Sequence, residues 1–211
     1  MILIHHLGIS QSDRIVWLCE ELGIPYELKR YERDPQTRLA PAEYRALTPF
    51  GTAPVIHDGD LVLGESAAIV EYIAQTYGAG RFFIPPGAPA YADFLYWFHF
   101  ANGSFMPAAL VDSIANRLGN GSSVMAGLRA RLDRAYAQVE DRLVTAPFLA
   151  GDAFTAADIM TLFPLTTMRV FSPRNLDLYP QIRAYIQRIA ARPAFQRAMQ
   201  KADPDFKMPL T

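Results

Sequence analysis

The 211 residues suffice for one large domain or two small ones, and 51% apolar against 19% charged side chains allow a sizeable core. A formal net charge of −1 offers no field of one sign to hold a phosphate backbone or an anionic lipid surface, which argues against nucleic acid and membrane as partners. The one cysteine, Cys19, rules out an intrachain disulfide, and neither a signal peptide nor an apolar run of the ~18 to 20 residues that span a bilayer is visible, so a cytoplasmic protein is expected.

In chain order, Ile2-Leu3-Ile4-His5 has the look of a short buried strand. Asp13 to Leu22 places Ile15, Leu18, Cys19 and Leu22 at helical spacing, and Gly23 with Pro25 stops the helix. Tyr26 to Arg30 alternates weakly and completes a βαβ unit. A polar stretch from Tyr31 to Thr48 holds one short helix around Pro41 to Ala46. Ala53 to His57 and Leu61 to Leu63, joined by Asp58-Gly59-Asp60, form a hairpin in which Gly supplies the positive φ of a tight turn. Glu65 to Tyr77 is an amphipathic helix with Ile69, Ile73 and Tyr77 on one face, ended by Gly78. The order βαβ, α, ββα is thioredoxin-like.

Gly78 to Pro89 has linker composition, with Pro85-Pro86-Gly87 at its centre. Beyond it every pattern is helical: Tyr91 to Leu118 with a break expected at Gly103 and Pro107, Ser122 to Val144, Thr155 to Val170 bent at Pro164, Tyr179 to Ala191, and Pro193 to Lys201. Thr155 as N-cap with Asp158 three residues on makes a capping box, and Phe154 with Ile159 a hydrophobic staple. The expected organisation is α/β plus all-α: a thioredoxin-like domain over 1–78, a linker over 79–89 and a helical bundle over 90–211.

Four segments carry a resemblance: Ser10-Gln11-Ser12-Asp13-Arg14-Ile15-Val16-Trp17-Leu18 running on to Glu27, Thr48-Pro49-Phe50-Gly51-Thr52-Ala53-Pro54-Val55-Ile56, Leu63-Gly64-Glu65-Ser66-Ala67-Ala68-Ile69, and Phe148 to Asp152 with Phe154 to Ile159. In this order and spacing the chain resembles the cytosolic glutathione transferase superfamily, in particular its bacterial and fungal members that use a serine. The resemblance implies glutathione as co-substrate, a small apolar electrophile or a peroxide as second substrate, and a homodimer. The bundle would shape the electrophile's pocket. A non-enzymatic binding protein on the same scaffold, or a glutathione-dependent isomerase or dehalogenase, is the alternative.

By that resemblance the Ser10 hydroxyl donates to the glutathione sulfur and favours its thiolate. Ser12, closer to the helix N-cap, competes for the role, and both stay open. Ala53 would pair its backbone with the cysteinyl unit beside a cis Pro54, and Glu65 with Ser66 would hold the γ-glutamyl end at a helix N-terminus. Relatives usually carry Lys or Gln where Thr52 stands, to reach the glycyl carboxylate. Thr52 is too short and uncharged for that, so Arg38 or a second-subunit residue is expected to substitute. Asn102 departs in the same way from a common acidic residue. Leu7, Phe105, Met106 and Leu110 are the expected apolar lining of the electrophile pocket. Cys19, on the apolar face of its helix, is expected in the core, and the histidines at 5, 6, 57 and 99 lack metal-site spacing, so no metal is expected.

Overall fold

A computed structural model describes residues 1–118 and 123–211. The chain divides into two compact units, Met1–Phe83 with Ala191–Lys207 and Ile84–Ala190 with Met208–Thr211. The first division falls inside the Pro/Gly-rich stretch 79–89, but the expected 90–211 bundle is corrected. Its last helix belongs to the first unit, for a packing reason given below.

The first unit contains β1 (Ile2–Leu7), α1 (Asp13–Leu22), β2 (Tyr26–Tyr31), α2 (Ala42–Arg45), β3 (Val55–Asp58), β4 (Leu61–Gly64), α3 (Ser66–Tyr77) and, from the distal end of the chain, α9 (Pro193–Ala202). The strands form one sheet in the order β2-β1-β3-β4, with β1 and β2 parallel and the other pairs antiparallel. Strand alternation splits β1 between two faces. Ile2, Ile4 and His6 share one face, Leu3, His5 and Leu7 the other. Leu7 packs on that second face with Tyr31, Tyr44 and Val55.

Helix α1 is buried nearly all round, with Ile15, Val16, Trp17, Leu18 and Cys19 at most 2% exposed. A helix of that kind needs cover on more than one side, and α1 packs against both α3 and α9. Trp17 stands edge-on to Phe195 of α9 at 5.0 Å. Two polar anchors hold α9 in place: Arg192 to Glu21 at 2.6 Å, and Glu20 bridged by Arg197 and Lys201 at 2.9 and 2.5 Å.

The second unit contains α4 (Tyr91–Phe100), α5 (Met106–Leu118), α6 (Ser123–Thr145), α7 (Ala156–Leu165) and α8 (Pro180–Ala190). The break expected at Gly103 and Pro107 is a π-helical turn over Ala101–Phe105 that links α4 to α5. Ser122, the expected start of α6, lies outside the described residues. The single helix expected over 155–170 is two pieces, α7 and a 3₁₀ turn Thr167–Val170, with Pro164 in the last turn of α7. All ten residues of α7 are buried. It is the hub of this unit, contacting α4, α8 and both irregular turns.

Candidate functional site

The loop from Gly8 to Ser12 carries the two candidate hydroxyls. Ile9 in it has φ 52, a left-handed conformation that β-branched side chains rarely adopt. Side chains from two other segments hold it there. Arg33 donates from Nε to Gly8 O at 2.9 Å, and both carboxylate oxygens of Asp203 accept the Ile9 N–H at 3.2 Å. A cleft of about 270 Å³ opens beside this loop, lined by Gly8, Ile9, Arg30, Arg33, Arg38 and Asp203 among others.

Ser10 follows Ile9 and is 5% exposed, its Oγ donating to Leu7 O at 2.6 Å. Ser12 occupies the N-cap position of α1, yet its hydroxyl does not cap the helix. It turns inward, accepts the Leu7 N–H at 3.2 Å, and lies 2.8 Å from His6 Nδ1 and 2.7 Å from Ser10 Oγ. Ser12 is wholly buried.

The Ala53–Pro54 peptide is cis. Pro54 is buried, Ala53 is half-buried against the Leu7 cluster, and Thr52 is exposed. Glu65, also exposed, has φ 68 and ψ 112 as the residue before α3. A non-glycine held there stores backbone strain, which gathers at ligand-binding positions. Ser66 is 3% exposed, and its Oγ accepts from Arg14 Nη1 at 3.2 Å. Arg14 also donates to Gln11 Oε1, and burial lowers its guanidinium to about 10, opposed by the neighbouring Asp13. The beginnings of α1 and α3 thus meet through one guanidinium. Two helix N-termini and a buried cation together favour an anion. Arg38, at φ 61, is exposed, and its carbonyl accepts from Arg33 Nη1 at 3.0 Å.

The expected electrophile lining does not survive intact. Leu7 is 4% exposed in the sheet core, and Phe105 is fully buried, edge-on to Tyr136 at 5.1 Å. Both side chains are already surrounded by their own unit, so neither offers a surface to a ligand. Met106 is half-buried and Leu110 is 53% exposed. In the second unit a separate cleft of about 270 Å³ is lined by Phe100, Pro107, Val111, Arg131 and Arg134 among others, and none of the expected residues lines it.

Cys19 is fully buried, and burial pushes its thiol up to about 12. Among the described residues no cluster of three His, Cys, Asp or Glu side chains is placed to hold a metal, and no helix is long and apolar enough to cross a membrane. Sequence reasoning missed His6, Arg14, Arg33 and Asp203. For His6 a signal existed, since it stands two residues after Ile4 on the inward face of β1. The other three reach the site through contacts that no local pattern encodes.

Comparison with known proteins gives a consistent result along the chain. The family "Glutathione S-transferase, N-terminal domain" matches residues 10–76, and "Glutathione S-transferase, C-terminal domain" matches residues 106–193. Glutathione S-transferase 3 of Schizosaccharomyces pombe is 30% identical over 96% of this chain and 88% of its own length. Glutathione S-transferase 3 of Zea mays is 32% identical over 88% of this chain and 87% of its own. A glutathione S-transferase structure from Actinobacillus pleuropneumoniae superposes with a TM-score of 0.89 at 34% identity, covering 98% of this chain and 97% of that one.

Proposed function

The chain belongs to the glutathione S-transferase family, a glutathione transferase with glutathione as co-substrate, and we propose that the Ser10 hydroxyl is the group that stabilises the bound thiolate. The observation that carries this choice is the contrast between the two serines. Ser12 is wholly buried and already engaged with Leu7 N, His6 and Ser10, whereas Ser10 stands at the outer end of that run, in the loop beside the cleft. To reach a thiolate, Ser10 need only exchange its bond to Leu7 O for one to sulfur.

The magnitudes are adequate. A free thiol has a pKa of about 8.5, and bringing it to about 6.5 takes roughly 2.7 kcal/mol. A hydrogen bond to a charged acceptor supplies roughly 1.5 to 3 kcal/mol, and the N-terminus of α1 about 0.3 to 1 more. In the reaction the thiol proton leaves to solvent and the thiolate attacks an electrophilic carbon. A C–S bond forms, and the leaving group departs with its electron pair. With a peroxide, the thiolate attacks one oxygen, an S–O bond forms as the O–O bond breaks, and the other oxygen leaves with the electron pair as an alkoxide that takes a proton from solvent.

The remaining roles rest on the family pattern and on the geometry beside it. Ala53, preceding the cis Pro54, pairs its backbone with the cysteinyl unit. Glu65 and Ser66 receive the γ-glutamyl end where the helix N-termini and Arg14 favour its carboxylate. Arg38, on the cleft beside the loop, takes the glycyl carboxylate that Thr52 is too short to reach. Met106 and Leu110 remain the lining offered to a small apolar electrophile, in a cytoplasmic homodimer of the family's usual kind.

Glutathione binding by calorimetry, with thiolate absorbance recorded against pH, tests the assignment in wild type and Ser10→Ala. The variant should raise the bound thiol's pKa by about 1 to 2, the loss of one hydrogen bond to an anion. An unchanged thiol pKa would remove Ser10 from its role.

A further inference from the structure

Ser10 is the outer end of a buried run of four side chains drawn from β1, the loop that follows it and the segment after α9. Ser10 Oγ lies 2.7 Å from Ser12 Oγ, Ser12 Oγ lies 2.8 Å from His6 Nδ1, and His6 Nε2 lies 3.0 Å from Asp203 Oδ2. Ser12 and the His6 side chain are 0% exposed, and the Asp203 side chain is 12% exposed. Asp203 also accepts the Ile9 N–H, so one carboxylate both ends the run and fixes the loop that carries Ser10.

Counting protons leaves two directions open for this run. A carboxylate only accepts, so the His6 Nε2 that faces it carries a proton, and each serine has a single proton to give. Suppose Nδ1 is bare. It takes the Ser12 proton, Ser12 offers Ser10 only a lone pair, and the Ser10 proton is drawn inward to Ser12 or to Leu7 O. Suppose instead that Nδ1 carries a proton. It donates to Ser12, and Ser12 donates to Ser10 at 2.7 Å in preference to the more distant Leu7 O at 3.4 Å. The Ser10 oxygen then receives both the Ser12 hydroxyl and, at 3.3 Å, the Ser12 N–H. Its own proton is left with Leu7 O or a ligand sulfur as acceptor.

We propose that His6 and Asp203 act as a positioning pair for thiolate stabilisation, holding Ser12 and the loop that carries Ser10 so that the Ser10 hydroxyl is placed to turn outward. The inference rests on the Ser10 assignment above. No covalent bond is made or broken along the run, because each proton stays on its own atom and the Ser10 hydroxyl swings from Leu7 O to sulfur.

The test is the bound thiol's pKa, read by thiolate absorbance on the full chain with glutathione, in Ser12→Ala, Asp203→Asn, Ser10→Ala and the Ser10→Ala/Asp203→Asn double variant. Ser12→Ala and Asp203→Asn should each raise that pKa by about 1. Affinity for S-methylglutathione, which has no thiol to ionise, should stay within about twofold of wild type. The double variant should match Ser10→Ala alone, because the carboxylate acts through Ser10. A rise from Asp203→Asn that persists undiminished in the Ser10→Ala background overturns the relay. So does an unchanged pKa in Ser12→Ala and Asp203→Asn alongside a raised one in Ser10→Ala, which leaves the Ser10 assignment standing. An unchanged pKa in Ser10→Ala overturns both. Should Asp203→Asn fail to fold, Ser12→Ala, which removes a single oxygen, decides the matter alone.

Discussion

Asp13 opens α1 as a carboxyl only 7% exposed, where burial pushes its pKa up to about 7 against the pull of Arg14 and His6. An acid raised in the folded state holds its proton there at a pH where the unfolded chain has released it. Its contribution to stability is therefore greatest below the ordinary carboxylate range and declines as pH rises through about 7. Asp13→Asn has no such slope. In urea unfolding, the stability of Asp13→Asn relative to wild type should rise by about 2 to 4 kcal/mol between pH 4 and pH 7.5, because a tenfold change in the acid's folded-state ionisation is worth about 1.36 kcal/mol. A difference flat with pH would mean that Asp13 stays ionised throughout, held by Arg14. The charge on Asp13 was not legible in the sequence, because an acidic residue in the first turn of a helix is the ordinary solvent-facing choice. Ser10, Pro54 and Ser66 were legible only through the family's motifs. His6, Arg14 and Asp203 owe their positions to packing between distant segments, which leaves no periodic trace.

At the scale of elements, α7 shows why one residue can carry a whole helix. The capping box expected at Thr155 and Asp158 is present, but Asp158 does far more than cap. Its carboxylate accepts the Leu149 N–H at 3.0 Å, the Thr155 N–H at 2.8 Å, the Thr155 hydroxyl at 3.2 Å and the Tyr185 hydroxyl of α8 at 3.0 Å. It therefore ties a turn, a helix start and a second helix together at a fully buried point. Thr155→Ala should cost about 1 kcal/mol, as a lost cap does. Asp158→Ala leaves two backbone N–H groups buried without partners and should cost about 2 to 5 kcal/mol. Chemical denaturation of both variants checks the ratio; equal losses would reduce Asp158 to an ordinary cap. The local signal named the pair correctly and was silent on the Leu149 and Tyr185 bonds. Phe154, expected to staple onto Ile159, stands edge-on to Phe148 at 5.9 Å.

At the scale of the whole molecule, the first unit is discontinuous, and its missing piece returns from the far end of the chain. The Pro/Gly-rich linker marks the first crossing in the sequence, and nothing comparable marks the second. Pro193 at the start of α9 signals a helix beginning and no more. What recruits α9 is the exposed flank that Trp17 would otherwise present, together with Glu20 and Glu21, whose cations lie some 170 residues away in Arg192, Arg197 and Lys201. Complementarity over that separation has no local signature. The arrangement gives a test by truncation. A chain ending at residue 190 loses α9 and Asp203 together, so its first unit should lose cooperative unfolding by circular dichroism and its calorimetric response to glutathione. A chain ending at residue 207 removes only Met208–Thr211, which pack with the second unit, and should keep both. If the shorter chain binds glutathione as the full chain does, α9 is not part of the first unit and the Asp203 end of the relay has no hold on Ser10.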